Sequence, residues 1–309
     1  MKAVIIPRFG GPEVLTVQDL PTPEPGPGQV RVRVRAATVN PTDLALRAGT
    51  HRVTQPFPLI PGMELAGEID AVGPEVTDRK VGEAVLGIVT PFRPEGGAQA
   101  EQVVAFADSV VPIPAGKSLV EAATLPMNGL TARLALDRLA LPPGSTLAIT
   151  GSAGAVGGYL IQLAKVAGLK VVADAAPRDE ALVHSLGADW VVERGPRVAE
   201  AIRGVIPEGV DALVDCAVQG AVVLPAVRDG GQVAAVRLWQ GGTERNIRVH
   251  QVMVTEYLRN RPALEALRRL VEEGRLTLRV AETFPPEQAA EAHRRLEAGG
   301  VRGRLVLVF

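Results

Sequence analysis

Three glycines at three-residue spacing, Gly151, Gly154 and Gly157, follow a short apolar stretch over 146–149 and precede a helical pattern over 159–167. Strand, glycine turn and helix in that order form a phosphate cradle. Glycine lets the backbone turn sharply and approach a pyrophosphate, and the N–H groups at the helix start face its charge. Gly151, Ser152, Ala153, Gly154, Ala155, Val156 and Gly157 are therefore candidate dinucleotide-binding residues. The spacing departs from G-x-G-x-x-G, so position carries the reading: the run heads a long alternation of strands and helices. At the end of the next predicted strand stand Asp174 and, just beyond, Arg178. An acid there accepts hydrogen bonds from the adenosine ribose and selects NAD, whereas a nearby arginine meets the 2′-phosphate of NADP. With Arg178 present, NADPH is the favoured cofactor and NADH remains possible.

The elements that must position these residues are of two textures. Up to residue 118 the chain reads as short strands and turns. Val30, Val32 and Val34 alternate with Arg31, Arg33 and Arg35, the period of a half-buried strand. The proline-rich run at 21–28 breaks any regular element before it. Further short strands are expected over 68–72, 84–89 and 99–106. From residue 119 an Ala/Leu-rich helical stretch runs to 139, interrupted at Pro126. Strands over 146–150, 170–174, 190–192, 212–215 and 232–236 then alternate with helices such as 179–186 and 197–205. That alternation implies a parallel sheet covered on both faces. A long helix is expected over 255–273, and 304–309 reads as a strand.

The chain has 309 residues, enough for about two domains. Hydrophobic residues make up 47% and aromatics only 3%, so the core is built from Val, Leu, Ala and Ile. A net charge of −1 offers no bulk attraction to nucleic acid or anionic lipid. Cys216 is the only cysteine, which excludes intrachain disulfides and cysteine-based zinc clusters. No apolar run reaches the roughly 18 residues of a membrane span, and the N-terminal apolar stretch is too short for a signal peptide. A cytoplasmic protein is expected.

In order along the chain stand Met1-Lys2-Ala3-Val4, Gly10-Gly11-Pro12-Glu13-Val14-Leu15, Asn40-Pro41-Thr42-Asp43 with Arg47-Ala48-Gly49, and Pro61-Gly62-Met63-Glu64-Leu65-Ala66-Gly67. Leu130-Thr131-Ala132, the glycine turn with Gln162-Leu163-Ala164-Lys165, Leu186-Gly187-Ala188-Asp189 and Gly303-Arg304-Leu305-Val306-Leu307 follow. This series resembles the zinc-independent quinone oxidoreductase (zeta-crystallin-like) branch of the medium-chain dehydrogenase/reductase superfamily. The resemblance covers nearly the whole chain. It implies an α/β fold, a Rossmann-type doubly wound parallel sheet with an N-terminal GroES-like β-rich catalytic domain. The expected division is 1–118 catalytic, 119–262 coenzyme-binding, and 263–309 returning to the catalytic domain, with the active site in the cleft. It also implies a homodimer built by extending the coenzyme-domain sheets.

Zinc-dependent relatives use Cys and His ligands. Here Asn40 follows Val39 where such a ligand is expected nearby, and Met63 stands where the usual His would be. His51, Glu64, Asp43 and His184 match no zinc signature, so no metal is expected. Without a metal, hydrogen bonds must polarise the acceptor, which suits quinones and α,β-unsaturated carbonyls.

The resemblance places Asn40 and Asp43 beside the nicotinamide and substrate, although Asn, Pro and Asp are also ordinary turn formers. Related reductases often carry a tyrosine where His51 stands, and histidine can donate a proton near neutral pH. Thr131 falls near the nicotinamide and Asn128 at the cleft wall; helix capping is their bland reading. Cys216, Val236 and Leu238 follow predicted strands and could flank the nicotinamide, or simply pack. Arg304 matches a basic family position that helps hold the cofactor. In NAD-using relatives the ribose-binding acid falls one residue later than Asp174, where Ala175 stands, and a one-residue shift in a strand reverses the face. The expected activity is NADPH-dependent, zinc-free hydride transfer to a quinone or enone. An NAD(P)-dependent dehydrogenase of the same fold and a non-catalytic nicotinamide-binding sensor are the rivals.

Overall fold

The computed structural model describes the whole chain, Met1–Phe309. It forms two compact units. The first takes in both ends of the chain, Met1–Met127, Thr255–Gly274 and Leu278–Phe309; the second comprises Asn128–Val254 and Arg275–Thr277.

The first unit is organised on a largely antiparallel sheet of seven strands, six along the main path and one off it. At its centre the Gln29–Val39 strand pairs with Glu64–Val72, Gln102–Phe106 and the last strand, Arg304–Val308. The valine–arginine alternation behaves as its period demands: Val30, Val32 and Val34 are buried, and Arg33 and Arg35 face solvent. Each buried valine contributes about 1.5–3 kcal/mol relative to exposure. The alternation stops at Ala36, beside a register shift between Val34 and Ala36, and the strand is then buried on both faces to Val39. Opposite the shift lies Gly67, where an added Cβ would stand 2.1 Å from the Arg33 carbonyl oxygen. No larger residue lets the two strands approach so closely.

Two local expectations are revised in this unit. The Asn40–Asp43 segment, read as a turn, opens the helix Pro41–Arg47, because Pro at the first helical positions and a reaching-back acid are helix-start chemistry as well. The long helix expected over 255–273 divides into a 3₁₀ turn, Val254–Tyr257, and a helix, Arg261–Glu272. Asn260 caps the latter by accepting the Ala263 N–H at 3.1 Å, and Pro262 occupies its first turn.

The second unit carries the alternating pattern. Its strands are β1 (Thr146–Thr150), β2 (Lys170–Ala175), β3 (Trp190–Glu193), β4 (Val210–Asp215), β5 (Val227–Ala235) and β6 (Arg248–Gln251). Helices α1 (Ala155–Val166), α2 (Glu180–Ser185) and α3 (Val198–Val205) follow β1, β2 and β3. The strands lie in the order 3-2-1-4-5-6 and all pair in parallel. This is the doubly wound order whose reversal point lies between β1 and β4. A parallel sheet covered on both faces needs runs of apolar residues rather than alternation. Leu147–Ile149, Val171–Ala173 and Ala212–Val214 are accordingly all buried. No helix in either unit is long and apolar enough to cross a membrane.

Candidate active site and dinucleotide cradle

The glycine turn joins the carboxyl end of β1 to the start of α1. Gly151 has φ +68°, a left-handed conformation that glycine adopts without strain. Gly157 lies in the first turn of α1, and a Cβ there would meet the Gly151 carbonyl oxygen at 2.4 Å and Ser152 Cα at 2.6 Å. The third glycine is thus required for the helix to sit close against the turn. Gly154 is the N-cap and supplies no capping side chain of its own. A dinucleotide pyrophosphate fits this arrangement: a helix N-terminus with its partial positive charge, entered through a tight glycine turn.

The turn is braced from below. Ser152 is fully buried; its Oγ donates to the Ile149 carbonyl at 2.7 Å and accepts the Asp174 N–H at 3.2 Å. Asp174 Oδ1 in return accepts the Ser152 N–H at 3.0 Å. Asp174 therefore faces inward under the turn. Burial raises its carboxyl above the usual range, against the Ser152 N–H and the charge of Arg194, which favour the carboxylate. On the other side, Thr150 Oγ1 donates to Asp215 Oδ1 at 2.7 Å and accepts the Ala217 N–H at 3.2 Å. This ties the β1 and β4 ends together at the reversal point. Cys216 follows β4 with its backbone 3.2 Å from where a Gly151 Cβ would be, and burial pushes its thiol well above the ordinary range. Val236 follows β5, its N–H towards the Asp215 carbonyl at 3.5 Å. Leu238, two residues on, is exposed. Asn128 and Thr131 are buried on the helix Pro126–Leu139. Arg178 lies beyond β2, 75% exposed and 4.0 Å from Asp179 Oδ2. The glycine turn, Asp174, Cys216, Val236, Leu238 and Arg178 thus gather at the carboxyl ends of one sheet, where open α/β folds bind ligands.

The first unit holds the other candidates in a buried polar network. Asp43 Oδ2 accepts the Asn40 N–H and its Oδ1 the Gly62 N–H, both at 2.8 Å. Gln99 Nε2 donates to the Thr38 carbonyl at 3.2 Å and to Asp43 Oδ2 at 3.4 Å. Arg304 Nη2 donates to Asn40 Oδ1 and Thr38 Oγ1, each at 2.6 Å, and forms an ion pair with Glu64. Glu64 Oε2 also accepts the Met127 N–H at 2.7 Å. Asn40, Asp43, Glu64 and Thr38 are wholly inaccessible, and Arg304 nearly so. One guanidinium thus serves two buried carboxylates. Burial raises both acids, Asp43 to about 7, while Arg304 and the donated hydrogen bonds oppose the shift.

The helix that begins at Asn40 is fixed at its other end as well. Arg47, also buried, donates from Nε to the Gly10 carbonyl at 3.1 Å, approaches His293 Nδ1 at 3.1 Å and pairs with Glu297. His293 is enclosed, and burial beside Arg47 lowers its pKa to about 3. His51 lies in the exposed loop after this helix, its ring edge-on to Phe92 at 5.5 Å. Thr38, Gln99, Arg194 and His293 escape sequence reasoning. Their partners are distant in the chain, and only Glu64, inside the Pro61–Gly67 motif, had a local signal.

No group of three or more His, Cys, Asp or Glu side chains is placed to hold a metal ion. Residues 26–115 match the alcohol dehydrogenase GroES-like domain family, and 186–307 match a family described as zinc-binding dehydrogenase. The chain is 31% identical to the chloroplastic quinone oxidoreductase QR1 of Triphysaria versicolor, over 99% of this chain and 98% of that one. It is 30% identical to the chloroplastic NADPH-dependent alkenal/one oxidoreductase of Arabidopsis thaliana, over 99% of this chain and 79% of that one. Among solved structures, an NAD-dependent alcohol dehydrogenase superposes over the whole of both chains with a TM-score of 0.89 at 31% identity. Full-length identity to quinone and enone reductases, the GroES-like match, the doubly wound sheet and the missing metal-ligand cluster agree on one assignment. The chain belongs to the zinc-independent quinone oxidoreductase branch of the medium-chain dehydrogenase/reductase superfamily.

Proposed function

We propose that this protein is an NADPH-dependent, zinc-free reductase of quinones or α,β-unsaturated carbonyls. The observation that carries the reading is the cradle at Gly151–Gly157, a glycine-capped helix start packed tightly on the turn at the carboxyl edge of a parallel sheet. The Gly154–Gly157 backbone would hold the pyrophosphate, with Cys216 and Val236 at the adjoining strand ends beside the nicotinamide half. When bound, NADPH supplies the hydride. The family's conjugated acceptors spread the arriving negative charge onto oxygen, which needs hydrogen-bond donors rather than a Lewis acid.

In this reading Asn40, Asp43, Glu64 and Arg304 are positioning residues. Their polar atoms are directed at one another, and they fix the Pro41–Arg47 helix and so the loop that carries His51. His51 is exposed, is oriented by Phe92, and delivers the proton, with water as the competing source. The outer edge of β6, free of a neighbouring strand, supports a homodimer by sheet extension. The single cysteine suits a reducing compartment, the cytoplasm.

The test is oxidation of NADPH and of NADH against a panel of quinones and enones with a metal chelator present. Chelator-insensitive turnover that prefers NADPH supports the proposal. Faster turnover of NADH with simple aldehydes would favour the dehydrogenase reading, which the similarity to an NAD-dependent alcohol dehydrogenase also supports. Cofactor binding without any turnover would favour a sensor.

A further inference from the structure

In the first unit, the loop that follows the Ala84–Ile88 strand is pinned to the segment that carries His51. The Gly97 N–H donates to the Ile60 carbonyl at 2.8 Å. Gly96 has φ +77°, and a Cβ there would meet Ile60 Cβ at 2.8 Å, so the two stretches approach as closely as glycine allows. Gln55 Nε2 donates to the Phe92 carbonyl, and the His51 ring lies edge-on to the Phe92 ring at 5.5 Å. Arg93, the residue after Phe92, is thereby fixed beside the loop on which the proton source stands.

Arg93 is half-buried, and its Nε donates to the Gly96 carbonyl at 2.8 Å, which sets the direction of the guanidinium. Nη2 is sealed from solvent and has no hydrogen-bond partner in the chain. Nη1 has none either, yet solvent reaches it, so the fork of the two nitrogens opens outward on one side. Burial lowers the group's pKa to about 10, which leaves it charged at neutral pH; the exposed Glu95 opposes the shift by its charge but forms no ion pair with it. A guanidinium carries five N–H donors, and this one spends a single donor on the chain. As a structural element that is a poor bargain, because an apolar side chain of similar volume could be buried there without an unpaired charge. The arrangement suits an oxygen anion that enters along Nη1 and takes parallel hydrogen bonds from both terminal nitrogens.

We propose that Arg93 is a specificity-determining residue that binds a permanently anionic substituent, a carboxylate or sulfonate, on the quinone or enone acceptor. In the reductase reading the reacting oxygen is served by His51. The guanidinium belongs to the residue beyond Phe92, so the group it meets is a second polar group of the acceptor. The assignment rests on that reading and on His51 standing beside the acceptor.

The test compares kcat/KM for naphthoquinone sulfonate and for unsubstituted naphthoquinone in the wild-type protein, Arg93→Met and Arg93→Lys. The intrinsic reactivity of each quinone cancels between proteins. Arg93→Met is expected to lower the ratio of sulfonated to neutral kcat/KM about tenfold to a hundredfold, mostly through KM, the loss expected of a charge-assisted contact. Arg93→Lys should recover part of it. Arg93→Met should also be at least as stable as the wild type in denaturant unfolding, since an unpaired buried cation has been removed. An unchanged ratio overturns the assignment, and an unchanged ratio with lost stability makes Arg93 structural. An equal loss on both quinones overturns it too, by placing the guanidinium on the reacting oxygen. Calorimetric titration with naphthalene sulfonate, which needs no turnover, should show the same weakening in Arg93→Met. If no quinone or enone is reduced, the reductase reading fails by itself. Equal binding of naphthalene sulfonate by the wild type and Arg93→Met sinks this inference and leaves the reductase standing.

Discussion

The two candidate regions are built by opposite means. The cradle is a matter of backbone: seven consecutive residues, three of them glycines, placed by one strand and one helix. The network of the first unit is a matter of side chains: Thr38, Asn40, Asp43, Glu64, Gln99 and Arg304 converge from distant segments, and Arg304 lies 240 positions from Glu64. A backbone site presents dipoles and tolerates no added bulk. A buried ionic network tolerates no lost partner, because each charge left behind has no water to turn to. The comparison teaches that substitutions in the two regions should fail differently, the first in ligand affinity and the second in stability.

The largest effect is expected at Arg304. Arg304→Met leaves Glu64 and Asp43 buried without their cation, and should cost about 3–5 kcal/mol in denaturant unfolding. Adding Glu64→Gln should recover a large part of that loss, since replacing both partners is much less costly than orphaning one. If the double variant is no more stable than the single one, the network is not the electrostatic unit described here.

A second prediction sharpens the account through pH. Asp43 has its pKa raised from 3.8 to about 7, so its contribution to stability is fully present below 3.8 and lost as pH rises through about 7. His293 has its pKa lowered from 6.5 to about 3, so its contribution is present above 6.5 and lost as pH falls towards 3. Between these values the two oppose each other. His293→Gln, whose amide oxygen can still accept from Arg47, should make the protein less sensitive to acid. Asp43→Asn should tilt the profile the other way, towards greater loss on acidification. Melting temperatures measured across that range check both slopes, and parallel shifts without a change of slope would refute the titration argument.

The smallest effect is expected at His51. His51→Gln should lower kcat no more than about tenfold, because water competes as proton source, and should flatten the pH–rate profile near neutrality. An unaltered profile would give the proton to water.

What could be read in advance follows the same division. The Gly151–Gly157 turn, the Val30–Val34 alternation and the apolar runs of β1, β2 and β4 are set by near neighbours in the chain, and periodicity exposes them. The split at Asn260 and Pro262 was hidden inside a leucine-rich helical pattern, where capping chemistry decides against periodicity. Asn40, Pro41 and Asp43 suit a turn and a helix start equally well, and only the Gly62 and Gln99 contacts choose between them. The Glu64–Arg304 pair leaves no local trace at all. Asp174 shows the limit most clearly: its position in the strand was legible, but whether it faced the ribose or the turn depended on Ser152, a partner from another element.

The most direct test of the central claim is titration of NADPH into the Gly157→Val variant beside the wild-type protein. The backbone account predicts that affinity falls at least about tenfold while far-ultraviolet circular dichroism is retained, since the side chain would press on the Gly151 carbonyl and open the turn. Wild-type affinity in a folded Gly157→Val variant would contradict it.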